Sequence, residues 1–191
     1  MKIFAFNVLR TERIASRGIG FILAWLLVFV SWFPCCAAAG KEDPGDLSDI
    51  VYYFAYGSNM DAVQMERRCP GSTFLGRASL EGYGFVYDGM SVTRKGPVAN
   101  IVKSPEDVVW GALFILSRRD IASLDRYEGY PTAYDRGILK VRDDSGHIYE
   151  AVVYMRSYRN SGMPHEDYRD IVVQGAIDRG LPDCYIHSVL N

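Results

Sequence analysis

The segment Val51–Tyr56 reads VYYFAY, and Gly57-Ser58-Asn59 follows it directly. Aromatic and β-branched residues are typical of a buried strand, and a glycine followed by two short polar residues interrupts one. A short helix is expected to follow, with Ser58 or Asn59 as its N-cap and Asp61 in its first turn. The sequence therefore predicts a strand, a tight loop and a helix in immediate succession.

The loop Tyr56-Gly57-Ser58-Asn59 has the features of a site for a small anion. A helix that begins where a strand ends leaves several backbone N–H groups directed into one concavity, where the helix dipole adds positive potential. Gly57 can adopt a positive φ and lets a ligand approach the backbone, while Ser58 and Asn59 supply short hydrogen-bonding side chains. Because the loop lacks the lysine of a nucleotide P-loop, a small carboxylate fits better than a nucleotide. Taken alone, four such residues more often form a capped turn that binds nothing.

Beyond this loop, strands dominate the middle of the chain. They are predicted at residues 73–80, 84–87, 99–102, 108–116, 134–142 and 148–156, with a final pair of helices at 166–179 and 182–190. Gly180 is placed to end the first of these helices, and Pro182 to open the second at its first turn. Strands interleaved unevenly with three or four helices predict an α+β fold, a class that includes closed and nearly closed barrels.

The helix predicted between Ser117 and Glu128 has the clearest boundaries. Ser117 and Asp120 form an S-x-x-D start. Gly129 and Pro131 follow Glu128 and form the stop. The glutamate is therefore predicted to lie in the last turn of the helix.

Glu128 also lies on an unexpected face of that helix. Ile121, Leu124 and Glu128 fall at i, i+3 and i+7, so the carboxylate shares the face that turns toward the core. Burial and the negative end of the helix dipole both raise the pKa of such a carboxyl group, toward the range that suits a general base that later acts as an acid. A salt-bridged glutamate at a frayed helix end fits the spacing equally well. Asp125, beside Arg126 in mid-helix, is expected to be an ion-pair partner.

The charge distribution argues against a nucleic-acid partner. Residues 1–39 hold four of the 21 basic residues and one of the 23 acidic ones, which leaves 17 basic against 22 acidic residues in the remainder. That remainder has no stripe of clustered Lys or Arg, the electrostatic signature that binding to a phosphate backbone requires. A hydrophobic content of 49% supplies ample material for a buried core.

The sequence supports neither a metal site nor a catalytic thiol. Cys69 and Cys184 do not make a disulfide framework, although an exported domain could pair them. Cys69 as a nucleophile has no neighbouring base in the sequence. No metal site is predicted, because the histidines lack the short spacing of zinc ligands and are expected at the surface: His147, His165 and His187.

The first 39 residues are predicted to be a signal peptide or an N-terminal membrane anchor. Basic residues up to Arg17 precede an uncharged run, residues 18–40, and Ala37-Ala38-Ala39 offers the A-x-A pattern of a signal peptidase site. A run of that length also suffices to anchor the chain in a bilayer, and the basic leading side puts the following domain in the periplasm or outside the cell. A miscalled start codon would instead leave it in the cytoplasm. Residues 40–50 are predicted to be a polar linker.

Residues 51–191 contain four ordered motifs. They are Y-F-A-Y-G-S-N at Tyr53–Asn59, L-D-x-x-E-G at Leu124–Gly129, V-W-G at Val109–Gly111, and Gly175-Ala176 followed by Gly180-Leu181-Pro182 and Tyr185. Together these motifs resemble the γ-glutamylcyclotransferase family, whose members include AIG2-like proteins, the first matching its opening strand and the second the end of a helix. By this resemblance, residues 51–191 are the catalytic domain.

The resemblance implies a small mixed β-barrel with flanking helices, often assembled as a homodimer. It also implies an enzyme that closes a small-molecule γ-glutamyl group into 5-oxoproline and releases an amine without a cofactor. Glu128 would take a proton from the substrate α-amino group and then return it to the leaving nitrogen. The implied substrate-binding residues are Tyr53, Phe54, Ala55, Tyr56, Gly57, Ser58, Asn59 and Tyr168.

The released amine is left open by the sequence. A related glutathione-specific branch has Leu where this chain has Asn59, which favours the broader branch. A cyclotransferase for γ-glutamyl amines, including the isopeptide of crosslinked proteins, is one alternative. A non-catalytic γ-glutamyl-binding module is another, and the retained Glu128 argues against it. The predicted export also differs from the cytoplasmic location that the resemblance implies.

Overall fold

The computed structural model describes residues 50–190. The predicted leader, its membrane anchoring through residues 18–40 and most of the predicted linker lie outside these residues. Within residues 50–190, every helix is too short or too polar to cross a bilayer. The elements in chain order are β1 (Ile50–Ala55), a 3₁₀ turn (Ser58–Met60), α1 (Ala62–Arg68), β2 (Thr73–Ser91), β3 (Gly96–Ser117), α2 (Arg118–Glu128), β4 (Asp135–Asp143), β5 (Ile148–Met155), α3 (Glu166–Asp178), α4 (Asp183–Tyr185) and a π-helical turn (Ile186–Leu190).

The five strands close into one barrel in the order β1-β3-β2-β4-β5. β1 pairs antiparallel with β3 and parallel with β5, so the barrel is mixed. β1 is therefore hydrogen-bonded on both sides, and Phe54 and Ala55 at its end are each 1% exposed. The predicted α+β class with a small mixed barrel and flanking helices is confirmed.

Two pairs of predicted strands are in fact two long strands. The predicted segments 73–80 and 84–87 both belong to β2, and 99–102 and 108–116 both belong to β3. β2 pairs with β3 along most of its length, with a shift of register between Glu81 and Tyr83 where Gly82 has φ +79°. Bulges of this kind bend a strand without ending it. The strand pattern in the sequence is therefore interrupted at a point where the strand itself continues.

The helix that carries Glu128 has the predicted boundaries. The side chain of Ser117 accepts a hydrogen bond from the N–H of Asp120, and the Asp120 carboxylate accepts one from the N–H of Ser117. Gly129 ends the helix in the left-handed conformation at φ +66°. Both ends of α2 are therefore closed by local hydrogen bonds, and these place Glu128 in the last turn.

The C-terminal helices differ in part from the prediction. α3 ends at Asp178, and Gly180 follows at φ +68°, as expected for a glycine that ends a helix. The second predicted helix is only one α-helical turn followed by a π-helical turn. Pro182 precedes that first turn instead of lying within it.

Candidate functional site

A cavity of about 40 Å³ lies where the loop after β1 meets side chains from several other elements. Glu128 reaches it from the end of α2, and Tyr168 from the first turn of α3. Tyr154 of β5 and Ala99 of β3 also line it. The barrel thus brings to the loop a glutamate that is 69 residues from Asn59 in the sequence, and a tyrosine that is more distant still.

The loop itself differs from the predicted strand-to-helix anion site. Ser58–Met60 form a 3₁₀ turn, and α1 begins only after Asp61, whose carboxylate accepts the N–H of Gln64 at 2.7 Å. Asp61 is therefore the N-cap, and neither Ser58 nor Asn59 takes that role. Because this carboxylate already occupies the start of a short helix, the helix dipole does not supply the anion site that the sequence predicted.

Gly57 is required for a different reason from the one predicted. Its φ is −121°, so no left-handed conformation is involved. A Cβ atom on Gly57 would instead lie 2.8 Å from Cβ of Ala99, which is too close for two carbon atoms. The absence of a side chain thus lets the loop backbone approach β3 and narrows the cavity between them.

Asn59 links the loop to the glutamate. Its Nδ2 donates to Oε1 of Glu128 at 3.0 Å and to the hydroxyl of Tyr53 at 2.7 Å. Its Oδ1 accepts from Nε2 of Gln64 at 3.1 Å and from Nη1 of Arg68 at 2.6 Å. These four bonds use both donors and both acceptor positions of the amide. Asn59 lines the cavity, and its side chain holds Glu128 and Tyr53 in place.

Glu128 is desolvated and yet paired. Its side chain is 17% exposed, and burial raises the pKa of its carboxyl group. The opposing influences are smaller: the positive charge of Arg68, with Nη1 at 3.3 Å from Oε1, then the hydrogen bond from Asn59, then the charge of Arg94. The predicted rise in pKa is therefore supported, with desolvation as its main cause. Of the alternative, a salt-bridged glutamate at a frayed helix end, the ion pair is present, with Arg68, but the end is not frayed, because Gly129 caps α2.

Five tyrosines line the cavity together with Glu128: Tyr53, Tyr56, Tyr134, Tyr154 and Tyr168. Burial raises the pKa of Tyr53, Tyr56, Tyr134 and Tyr168, so these phenols stay protonated at neutral pH. Tyr168 accepts a hydrogen bond from the N–H of Ala99 at 3.1 Å, and Tyr56 donates one to the carbonyl of Tyr154 at 2.6 Å. The site therefore offers neutral hydroxyl groups next to one carboxylate.

Close packing holds α3 against the loop. A Cβ atom on Gly175 would lie 2.8 Å from the N of Asp61 and 3.0 Å from the carbonyl carbon of Met60. Only a glycine in α3 allows this approach, and the same helix carries Tyr168. The Gly175-Ala176 motif, remote in sequence from the loop, thus sets the distance between the loop and Tyr168.

Some predicted residues lie away from the cavity. Phe54 and Ala55 belong to the core, and their side chains do not line the cavity, contrary to the implied substrate-binding role. Asp125 forms the expected ion pair, but with Arg136, at 2.7 and 2.8 Å, instead of with Arg126.

Neither thiol nor metal chemistry gains support from the structure. Cys69 and Cys184 are both free thiols. Burial and the nearby Asp120 raise the pKa of the Cys69 thiol to about 12, which makes it a poor nucleophile. Between residues 50 and 190, no group of His, Cys, Asp and Glu is arranged to hold a metal ion.

Five residues near the glutamate were not predicted from the sequence. Gln64 and Arg68 stand four residues apart on α1, a spacing that puts both on one helix face, and this signal could have found them. Tyr134, Tyr154 and Arg94 come from other elements and had no local signal.

Comparisons with known proteins agree with this architecture. The AIG2-like family model matches residues 108–189. The gamma-glutamylcyclotransferase of Mus musculus is 31% identical over 156 residues, which cover 79% of this chain and 80% of the mouse protein. The Homo sapiens protein of the same name is 30% identical over 147 residues, covering 74% and 78% of the two chains.

A solved structure of a gamma-glutamyl cyclotransferase has the same fold. It superposes with a TM-score of 0.70 at 28% identity and covers 74% of this chain and 88% of its own. The identity to the mouse protein extends over most of both sequences, and the structural match also covers most of both chains. The chain therefore belongs to the gamma-glutamylcyclotransferase family.

Proposed function

We propose that this protein is a γ-glutamylcyclotransferase that uses Glu128 as general base and then as general acid. The observation that carries the proposal is the desolvated carboxylate of Glu128, which Asn59 joins to the loop after β1 inside a cavity lined by neutral hydroxyls. The named relatives at about 30% identity support the same class of activity.

In the proposed reaction, the α-amino nitrogen of the substrate attacks the carbon of its own γ-carbonyl group. One carbon–nitrogen bond forms to close the five-membered lactam, and the amide bond to the amine breaks. Glu128 accepts one proton from the attacking nitrogen and delivers it to the leaving nitrogen. No water is consumed and no electron is transferred, so the stoichiometry requires no cofactor.

Besides proton transfer, the protein is proposed to speed the reaction by holding the glutamyl chain in a folded conformation. Both reacting groups belong to one molecule, and correct positioning lowers the barrier of such a ring closure strongly. The loop backbone at Gly57 and Ser58 supplies N–H groups to steady the oxygen that becomes negative. Tyr53 supports this arrangement, because its hydroxyl oxygen accepts from Asn59 and its own proton stays available to the substrate.

The direct test is the formation of 5-oxoproline from a panel of γ-glutamyl compounds. The panel contains γ-glutamyl-alanine, glutathione, γ-glutamyl-ε-lysine and a γ-glutamyl alkylamine. We expect 5-oxoproline and free amine in equal amounts from at least one compound. If none of the compounds is turned over, the enzyme assignment is wrong. Binding without turnover would then support the binding-module alternative.

The pH dependence of turnover tests the electrostatic surroundings of the base. A base works in its ionised form, so kcat/KM is expected to fall as the pH drops through the raised pKa of Glu128. The charge of Arg68 lowers that pKa, and therefore Arg68→Met should move the acidic limb of the profile to higher pH.

Arg68→Lys provides the matched control for that shift, because it keeps the positive charge on a similar side chain. Its acidic limb should stay nearer to that of the unmodified protein. An acidic limb that stays in place in Arg68→Met would contradict the role of Glu128 as the titrating base.

A further inference from the structure

A second, wider cavity adjoins the one that holds Glu128. Its volume is about 480 Å³, and it shares Ser58, Glu128, Tyr134 and Tyr168 with the smaller cavity. Because they share these residues, the two cavities are continuous at Glu128, the carboxylate that is proposed to protonate the leaving nitrogen. A substrate that reacts at Glu128 therefore has room for its departing part in the wider cavity.

The wider cavity is strongly basic, although the protein as a whole carries a net charge of −2. Glu128 is the single carboxylate among its lining residues within the described part of the chain. Four arginines line the same space: Arg68, Arg94, Arg126 and Arg156. Low-dielectric walls that carry one sign of charge attract a ligand group of the opposite sign.

Two of these arginines already have anionic partners. Arg68 contacts Glu128 at 3.3 Å and also donates to Asn59. Arg156 has its Nε 3.7 Å from the fully buried carboxylate of Asp88 and donates to the Asp88 carbonyl. Each of them balances a charge that belongs to the protein.

Arg94 differs from these two. It lies half-buried in the turn between β2 and β3, and its Nη2 donates at 2.5 Å to the neutral Oε1 of Gln64. Its guanidinium stacks 5.2 Å from the ring centre of Tyr168. Between residues 50 and 190, no carboxylate lies within ion-pair distance of Arg94. Arg126 is exposed on α2, where solvent screens its charge.

We propose that Arg94 determines specificity by binding the free α-carboxylate of the amino acid that the reaction releases. This inference rests on the proposed cyclotransferase function. The guanidinium is held in place by Gln64 and Tyr168 and has N–H donors left to form charge-assisted bonds to a carboxylate.

The position of the charge on the substrate supports this role of Arg94. In a γ-glutamyl-α-amino acid, one carbon separates the leaving nitrogen from the carboxylate, so that the anion enters the basic cavity as the nitrogen meets Glu128. A simple alkylamine offers no anion there. In γ-glutamyl-ε-lysine the carboxylate is four methylene groups further away and lies beside an ammonium group, which the arginines repel. The cavity therefore disfavours the isopeptide alternative.

The test compares γ-glutamyl-alanine with γ-glutamyl-alaninamide, which has nearly the same shape but no carboxylate. With the unmodified protein, kcat/KM for γ-glutamyl-alanine should exceed that for the amide by roughly 10- to 100-fold, as expected for hydrogen bonds to a charged group. Arg94→Gln should lower the ratio of kcat/KM for γ-glutamyl-alanine to kcat/KM for the amide by a similar factor. Arg94→Lys, which keeps the charge, should retain part of the preference.

The ratio of kcat/KM for the two substrates separates binding of the carboxylate by Arg94 from effects of Arg94 on Glu128. Arg94 also lowers the pKa of Glu128, but a change in that pKa affects both substrates alike. Arg67→Gln, on the exposed side of α1, is the control and should leave the ratio unchanged. The inference is overturned if Arg94→Gln slows both substrates equally, or if the unmodified protein does not prefer the free carboxylate. Absence of 5-oxoproline from both substrates would overturn the proposed function itself.

Discussion

Replacing Glu128 by glutamine is expected to lower the rate of 5-oxoproline formation by a factor of about 10² to 10⁴, the usual contribution of a general acid–base group. Glutamine has the same shape, and its amide oxygen can still accept the bonds that Asn59 and Arg68 donate to Oε1. It can neither take a proton from the attacking nitrogen nor return one to the leaving nitrogen. Both transfers in the proposed reaction are therefore lost together.

The loss should appear in kcat as well as in kcat/KM, because the proton moves only after the substrate is bound. Glu66→Gln is a matched control, since Glu66 is an exposed carboxylate on α1. Circular dichroism and urea unfolding should show that both variants are folded. Turnover of Glu128→Gln within a few-fold of the unmodified protein would falsify the proposed mechanism.

Leu124→Ala is expected to reduce the free energy of unfolding by about 2–5 kcal/mol. Leu124 is fully buried and lies one helical turn before Glu128 on the same face of α2. The shortened side chain leaves a cavity between α2 and the barrel, and a well-packed core closes such a cavity only in part. Because natural domains are stable by only about 5–15 kcal/mol, this single change removes a large share of the total.

Urea unfolding followed by circular dichroism measures this effect directly. Leu124→Met keeps the volume and apolar character of the side chain, and its cost should stay below about 1.5 kcal/mol. A loss below about 1 kcal/mol for Leu124→Ala would mean that α2 does not depend on this contact for its position.

Local sequence signals predicted the elements that carry the site. The aromatic strand before Gly57, and the capped helix from Ser117 to Gly129, were both predicted within a residue or two of their observed ends. The helix spacing of Leu124 and Glu128 also predicted a carboxylate on the core side of α2, and the Glu128 side chain is largely buried there. These predictions succeeded because capping, strand composition and helix periodicity act over a few neighbouring residues.

The loop shows where local reasoning failed. Gly57 was expected to need a positive φ, but its φ is −121°, and its missing side chain serves the approach of Ala99 from β3. Asn59 lines the cavity, but the sequence did not predict the bonds of its amide to Gln64, Arg68, Tyr53 and Glu128. The approach of Ala99 and the bond to Glu128 depend on residues from elsewhere in the chain, and a single sequence does not show which residues come into contact.

The position of Glu128 on its helix and the loop after β1 thus follow from the local sequence, whereas the contact between them depends on the closed barrel. The sequence alone determined that an apolar strand ends in Gly-Ser-Asn and that a helix ends in a core-facing glutamate. Barrel closure then brought β1 beside β5 and carried Asn59 to within 3.0 Å of Glu128. The same closure set Arg94 and Tyr168 around the wider basic cavity. Contacts over such separations arise from the packing of whole elements, because no short-range preference along the chain specifies them.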